Sequence, residues 1–367
     1  MRPSWVEVDL EAIHHNVNRF RDAVAPAEVV SVVKANAYGH GDIEVATAAL
    51  QAGASWLAVA LTEEAIRLRE AGIDAPILLL SEPPVTDVGD IRRWKITPSV
   101  YHREFIEALA EEQDPLGVHL VVDTGMHRVG ARPEDTLELA KMVDASPALR
   151  LEGVWTHFAV AEHDDEFTGL QSSRLDEVVS VIRDAGMDPG LVHRANSAGA
   201  LYIRAEGAMA RIGLGMYGIH PDPSRRVTEL RPAMRVVSHV SHVRRHPAGT
   251  RPSYGRRIPL AADANVATIP IGYADGVPRI ISLRGGSVLI GGSRRPFAGV
   301  ITMDQIMVDC GDDPVSVGDE VVLIGRQGSE EIDVDEWARL AETISWEILC
   351  GIGDRLPRRY LPVHSST

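Results

Sequence analysis

The sequence predicts an α/β chain in two parts, a (β/α)8 TIM-like barrel followed by a mainly antiparallel β domain. Two observations carry that reading. Between about residues 29 and 215, short β-branched runs alternate with longer charged stretches of helical period, the pattern of consecutive βα units and a parallel sheet. After Pro223 the texture changes to Pro and Gly punctuation with valine-rich alternation, as in Ala267-Thr268-Ile269-Pro270-Ile271-Gly272, which reads as antiparallel β structure.

In chain order, Trp5-Val6-Glu7-Val8-Asp9-Leu10 alternates like a strand and leads into a helix. Candidate barrel strands follow at Val29 to Val33, Trp56 to Ala60, Ile77 to Leu80, Ile96 to Val100, Val118 to Asp123, Gly153 to His157, Leu191 to Arg194 and Ala210 to Leu214. Eight such units suit a closed barrel, and an open doubly wound sheet is the competing closure. Between the strands, a stretch such as Thr62 to Gly72 is expected to start with a capping box and stop at its glycine. The expected boundaries are 12–226 for the barrel and 227–367 for the β domain, with strand 1–11 joined to the latter.

At 367 residues the chain can bury a large core without staples. Its two cysteines, Cys310 and Cys350, have no CxxC spacing, which argues against a disulfide framework or zinc site and fits a reducing, cytoplasmic setting. No stretch approaches the ~20 apolar residues of a membrane span. A formal charge of −15 repels phosphate backbones and anionic membranes, so neither nucleic acid nor membrane is an expected partner. His242 and His246 lie four apart without a metal-binding motif, and no metal is expected.

Lysine is rare here. Lys34, Lys95 and Lys141 stand against thirty-four arginines. Lys34 falls where the apolar run Val29 to Val33 meets Ala35-Asn36-Ala37-Tyr38-Gly39-His40-Gly41, a composition that suits a loop against a ligand. Unlike arginine, a desolvated lysine can become a nucleophile or base. In a barrel, strand C-terminal ends converge on one mouth. That places Lys34 and Tyr38 beside Asp123 to Arg128, Thr156-His157-Phe158, Asn196-Ser197 and Arg211 to Gly215. Gly213, Gly215 and Gly218 satisfy GxGxxG, but with no βαβ unit after them a dinucleotide site is not expected. Glycine turns after the last two barrel strands instead commonly cradle a phosphate, with Ser197 and Tyr38 as hydroxyl donors. Lysine plus a phosphate cradle points to pyridoxal phosphate.

The segment Val33-Lys34-Ala35-Asn36-Ala37-Tyr38-Gly39-His40-Gly41 resembles the cofactor signature of the alanine racemase family. The likeness continues through Val122 to Met126, Thr156 to Ala159, Ala195 to Ala198, Ser253 to Gly255, Ile271 to Gly276 and Met303 to Gln305. It implies a barrel and β domain assembled as a head-to-tail homodimer with shared sites, making D-alanine for peptidoglycan precursors. Lys34 would bind the cofactor covalently, and Tyr254 of the other subunit would be the second base. Tyr38, Ser197, Gly213 and Leu214 would hold the phosphate, with Asn196 and Trp346 also at the cofactor. Arg211 would face the pyridine nitrogen, with His157 beside it as a relay to Tyr254. Arg128 and Met303 would meet the substrate, and Tyr273 and Asp304 would line the pocket.

Two positions depart from the family pattern. Val121 stands where members commonly carry a carbamylated lysine that orients the arginine matched by Arg128, and Trp346 stands where a tyrosine is usual. Indole can donate one hydrogen bond but has no hydroxyl. Alternatives to an alanine racemase are a racemase for serine or another amino acid, a barrel amino acid decarboxylase of the same cofactor class (fold type III), and a non-catalytic pyridoxal phosphate carrier.

Overall fold

A computed structural model describes residues 3–111, 114–203 and 206–363. The chain divides into two compact units, one of Ala12–Ala37 and Asp42–Arg231, the other of Met1–Glu11, Tyr38–Gly41 and Pro232–Thr367.

The first unit is the barrel. β1 (Ser4–Asp9) belongs to the second unit, and the barrel strands are β2 (Glu28–Val32), β3 (Trp56–Val59), β4 (Ile77–Leu79), β5 (Ser99–Val100), β6 (Leu116–Val121), β7 (Leu149–Trp155), β8 (Leu191–His193) and β9 (Met209–Ile212). All pair in parallel, in the order β4-β3-β2-β9-β8-β7-β6-β5. The two edges meet through a parallel bridge between Leu78 and Thr97, with Leu79 N–H donating to Thr97 O at 2.9 Å and Thr97 N–H to Ile77 O at 2.9 Å. The open doubly wound sheet is thereby excluded. Thr97 reaches β4 while Ser99 and Val100 pair with β6, so the strand expected over 96–100 is regular only at its end.

Amphipathic helices cover the barrel. The helix Leu10–Val24 buries Ala12, Ile13, Asn16, Val17 and Phe20, one face at helical spacing. Asn16 is the polar member, and its amide is fully used. It donates to Met216 O at 3.0 Å and Arg231 O at 2.8 Å, and accepts from Arg231 N–H at 2.8 Å. Phe20 sets a second constraint, since a Cβ on Gly215 would come 2.3 Å from its ring.

The helix Thr62–Glu70 corrects one expectation. Thr62 is its first helical residue, the cap position is Leu61, and the Thr62 hydroxyl donates instead to Asp87 at 2.7 Å. Only the reciprocal half of a capping box forms, through Glu64, whose carboxylate accepts from Ala60 N–H (2.9 Å) and Leu61 N–H (3.1 Å). The chain leaves this helix through Gly72 at φ 84°.

The second unit holds β10 (Met234–His239), β11 (His242–His246), β12 (Ala264–Ile269), β13 (Ser287–Ile290), β14 (Ser293–Pro296), β15 (Ile306–Asp309), β16 (Glu320–Gln327), β17 (Glu330–Ile332) and β18 (Arg358–Leu361). One sheet runs β14-β13-β16-β10-β1-β18 with β17 on β16, and a second runs β11-β12-β15. Every pairing is antiparallel except β1 with β18. No helix among the described residues is long and apolar enough to cross a membrane.

Replacing Asn16 with alanine strands the buried Met216 carbonyl and the part-buried carbonyl and N–H of Arg231. We expect Asn16→Ala to lower unfolding free energy by about 2–4 kcal/mol, and the exposed Asp22→Ala by less than ~0.5 kcal/mol. Urea titration of both variants checks this.

Candidate functional site

Lys34 lies two residues past the end of β2, and the chain then does something no loop composition announced. Ala35, Asn36, Ala37 and Tyr38 all take left-handed helical dihedrals, with φ between 51° and 53°. Each such residue costs roughly 1–2 kcal/mol for an L-amino acid, so the turn must be held from outside. Glu64 supplies the clamp, its second carboxylate oxygen accepting from Ala35 N–H at 2.6 Å. Asn36 Oδ1 accepts from Asp42 N–H at 3.1 Å, and Ala37 N–H returns to Val33 O at 2.9 Å. Asp42 is itself paired with Arg67, at 2.7 Å from its Nε.

At the far end of the turn, burial pushes the Tyr38 phenol far above its usual range, with Cys350 adding to the effect. Tyr38 therefore stays a neutral hydroxyl.

Arg211, on β9, is 2 % exposed and lies within the barrel. Its Nη1 donates to His193 Nδ1 at 2.7 Å, and its Nη2 to Thr156 O at 2.7 Å, to Arg194 O at 3.3 Å and to His157 Nδ1 at 3.3 Å. The guanidinium carbon sits 4.3 Å from the Trp155 ring centroid, a cation–π contact. Burial pulls its basicity down to about 9, which leaves it a cation at neutral pH. Burial, then the charges of Arg211, Arg128 and Lys34, hold His157 well below the usual imidazole range. His157 is neutral, and since Arg211 can only donate, its ring hydrogen sits on Nε2.

Ser197 binds the glycine turn after β9, its Oγ accepting from Gly213 N–H at 3.1 Å and Gly215 N–H at 3.3 Å. Asn196 Oδ1 accepts from Gly199 N–H at 2.8 Å. Asp123 closes its own turn, accepting from Gly125 N–H (3.0 Å) and His127 N–H (2.9 Å). Arg128 is exposed, and among the described residues it makes no ion pair. It lines a small cavity with Val121, Asp123, Trp155, Thr156 and His157.

The expected residues of the second unit form their own group. Tyr254, Tyr273 and Met303 are 75 %, 42 % and 52 % exposed. Tyr273 N–H donates to Thr302 O at 3.0 Å, and Ser253 Oγ to Val300 O at 2.5 Å, so the segment 300–303 links all three. Asp304 pairs with Arg355 at 2.6 Å. Trp346 is half-buried in the helix Ser345–Gly351.

Sequence reasoning missed His119, His193 and Gln171. The buried Gln171 amide donates to His157 O (3.1 Å) and Thr124 Oγ1 (3.2 Å), and accepts from Ala159 N–H (2.9 Å), fixing the loop that carries His157. The available signal was a histidine inside each of two apolar barrel strands.

Lysine, a buried arginine backed by imidazoles, and a serine-bound glycine turn at one end of eight parallel strands define a barrel enzyme with a cationic, anion-accepting site. Residues 8–221 match the family model for the alanine racemase N-terminal domain, and residues 233–360 that for the C-terminal domain. The alanine racemase of Symbiobacterium thermophilum is 44 % identical over 98 % of this chain and 97 % of its own. The solved alanine racemase of E. faecalis superposes with a TM-score of 0.93 at 38 % identity, covering 98 % of both chains. The one from Bacillus anthracis, with bound L-Ala-P, gives 0.92 at 38 % identity over 99 % of this chain and 96 % of that one. The chain belongs to the alanine racemase family. These matches do not favour a racemase for another amino acid or a decarboxylase.

Burial depresses His157 and His193, and His119 to about 3, so unfolding must let each take up a proton below its unfolded pKa of ~6.5. Their contribution to stability is complete above that value and shrinks as pH falls towards the folded values. We expect barrel stability to drop by up to about 1.4 kcal/mol per pH unit for each ring between pH ~6 and ~4. Urea unfolding across that window checks the slope, which His193→Leu should flatten.

Proposed function

We propose that this chain interconverts L- and D-alanine with pyridoxal 5'-phosphate in the cytoplasm, supplying D-alanine for peptidoglycan precursors. It would act as a homodimer in which each barrel site, within the expected span 12–226, takes Tyr254 from the second copy. Beside family membership, the observation that carries the reading is Arg211, a buried cation with neutral hydrogen-bond acceptors.

The residues present fit the cofactor. Ser197 Oγ already accepts two backbone N–H groups, so its own hydrogen is available to an anion, as is the neutral Tyr38 hydroxyl. With Gly213 and Leu214 they would hold the phosphate, while Asn196, His157 and Arg211 would border the ring and Trp346 would donate through its indole nitrogen. When bound, the cofactor supplies an electron sink that acidifies the substrate Cα–H.

Lys34 would hold the cofactor and exchange the Cα proton on one face, and Tyr254 of the second copy would exchange it on the other. Arg128 would bind the substrate carboxylate. Tyr273, Met303 and Asp304 of the second copy would narrow the pocket. Arg211, a donor that remains cationic, would keep the ring nitrogen unprotonated and so shorten the life of the carbanion, which disfavours decarboxylation. His157 presents a neutral Nε2–H and would orient Tyr254.

In deuterated water, purified protein loaded with cofactor should convert either alanine enantiomer to an equal mixture with deuterium at Cα; loading without exchange or racemisation would overturn the reading. Lys34→Ala should lose the visible absorbance of lysine-bound cofactor, and retention of that band would sink the assignment. Tyr254→Phe should keep the cofactor yet slow exchange from one enantiomer by about 10²–10⁴-fold.

The shared site has its own test. Lys34→Ala and Tyr254→Phe chains, dissociated and reassociated together, should recover about a quarter of the native rate, because half the dimers are mixed and each has one intact site. No recovery would place both bases on one chain.

A further inference from the structure

Behind Arg211, on the side away from His157, two imidazoles continue the hydrogen-bonded line. His193 Nδ1 accepts from Arg211, and His193 Nε2 lies 2.9 Å from His119 Nδ1. Guanidinium has no lone pair to offer, so each proton position follows in turn. His193 presents its Nδ1 lone pair to Arg211 and carries its hydrogen on Nε2. That hydrogen is given to His119 Nδ1, which leaves the His119 hydrogen on Nε2. There it is buried with no hydrogen-bond partner.

The fold makes room for this line at some expense. β6 and β7 slip register between Val118 and His119, so that Glu152 is one residue too many and His119 stands opposite Gly153. A Cβ on Gly153 would lie 2.7 Å from the His119 ring. Trp56 packs across the same ring at a 5.5 Å centroid distance, and Trp155 stacks on His193 at 5.7 Å. A bulge, a bare glycine and an unsatisfied N–H worth roughly 1–3 kcal/mol are a poor way to fill a barrel that leucine or valine fills better.

We infer that His119 and His193 are positioning residues for the proposed racemisation, a fixed pair of tautomers that holds Arg211 by its rear N–H and keeps its guanidinium turned to the cavity. The inference rests on the activity proposed above. Were His193 to carry its hydrogen on Nδ1, donor would face donor and the guanidinium would lose its rear anchor. His119 supports the required tautomer by accepting at Nδ1 the hydrogen that His193 carries on Nε2. Burial, with the charges of Arg211 and Arg150, keeps His119 neutral, and burial with Arg211 keeps His193 so.

Two substitutions separate positioning from filling. Asparagine places Oδ1 near where Nδ1 stands and still accepts, whereas leucine fills similar space and cannot. In the cofactor-loaded enzyme, His119→Leu should lower kcat about tenfold in both directions while KM for alanine moves less than about twofold, and His119→Asn should stay within about threefold of native. The visible band of bound cofactor should shift in His119→Leu and not in His119→Asn. Equal loss in both variants, or native kcat in His119→Leu, would overturn the inference. Nitrogen-15 NMR of histidine-labelled native enzyme gives a reading that needs neither turnover nor a variant that folds. Both rings should show hydrogen on Nε2 alone, and an Nδ1–H or doubly protonated signal from either would overturn it. If native enzyme fails to racemise alanine, the function proposed above falls while the NMR still reports on the tautomers.

Discussion

A cation buried, among the described residues, with no carboxylate beside it is the constraint around which the barrel interior is organised. Taking a guanidinium out of water is expensive unless its N–H groups are satisfied, and the usual remedy is an acid. The acceptors around Arg211 are carbonyls after β7 and β8 and two neutral imidazoles, with the Trp155 face beneath. That solution gives both terminal nitrogens acceptors and leaves the charge uncancelled. Its field adds to burial in holding His157 and His193 neutral, and acts on whatever enters the cavity.

The same barrel end carries a second investment, in backbone rather than charge. Four successive left-handed residues after Lys34 would unwind in isolation. Glu64 opposes this by tying Ala35 to the start of the next βα helix, since one carboxylate accepts from Ala35, Ala60 and Leu61 together. The lysine is thus fixed between a strand and a clamped turn rather than carried on a free loop, and a group that must meet one atom of a ligand gains from that rigidity.

Much of this was legible in the sequence, for identifiable reasons. Strands such as Val29 to Val33 and Ile77 to Leu80 are short, mostly aliphatic runs buried on both faces, and they reappear within a residue or two. Closure was favoured by the count of eight units, but its seam was not legible, because it depends on Thr97 bridging Leu78. Nor was the left-handed turn, since of Ala35, Asn36, Ala37 and Tyr38 only asparagine favours that region. His119 and His193 were hidden inside runs read as core. Alternation offered a clue, for His119 shares a strand face with Val121, which lines the small cavity beside Arg128 and His157.

The exposed group on the second unit is built with similar strain. Ser253 sits at φ 68° and ψ −179°, a region that is nearly glycine's alone, and its Oγ is tied to Val300 O. Gly299 must be glycine, because a Cβ there would lie 2.6 Å from Pro252 O. Backbone strain of this kind survives where the surroundings over-determine it, and what it achieves here is to hold Tyr254 out from the surface beside Tyr273 and Met303. A phenol needed only for packing would be turned inward at lower energy. An aromatic and a thioether kept exposed by a strained turn and a close glycine contact are placed to meet something outside their own unit, and in the homodimer proposed above that would be the barrel end holding Lys34 and Arg211 in the second copy.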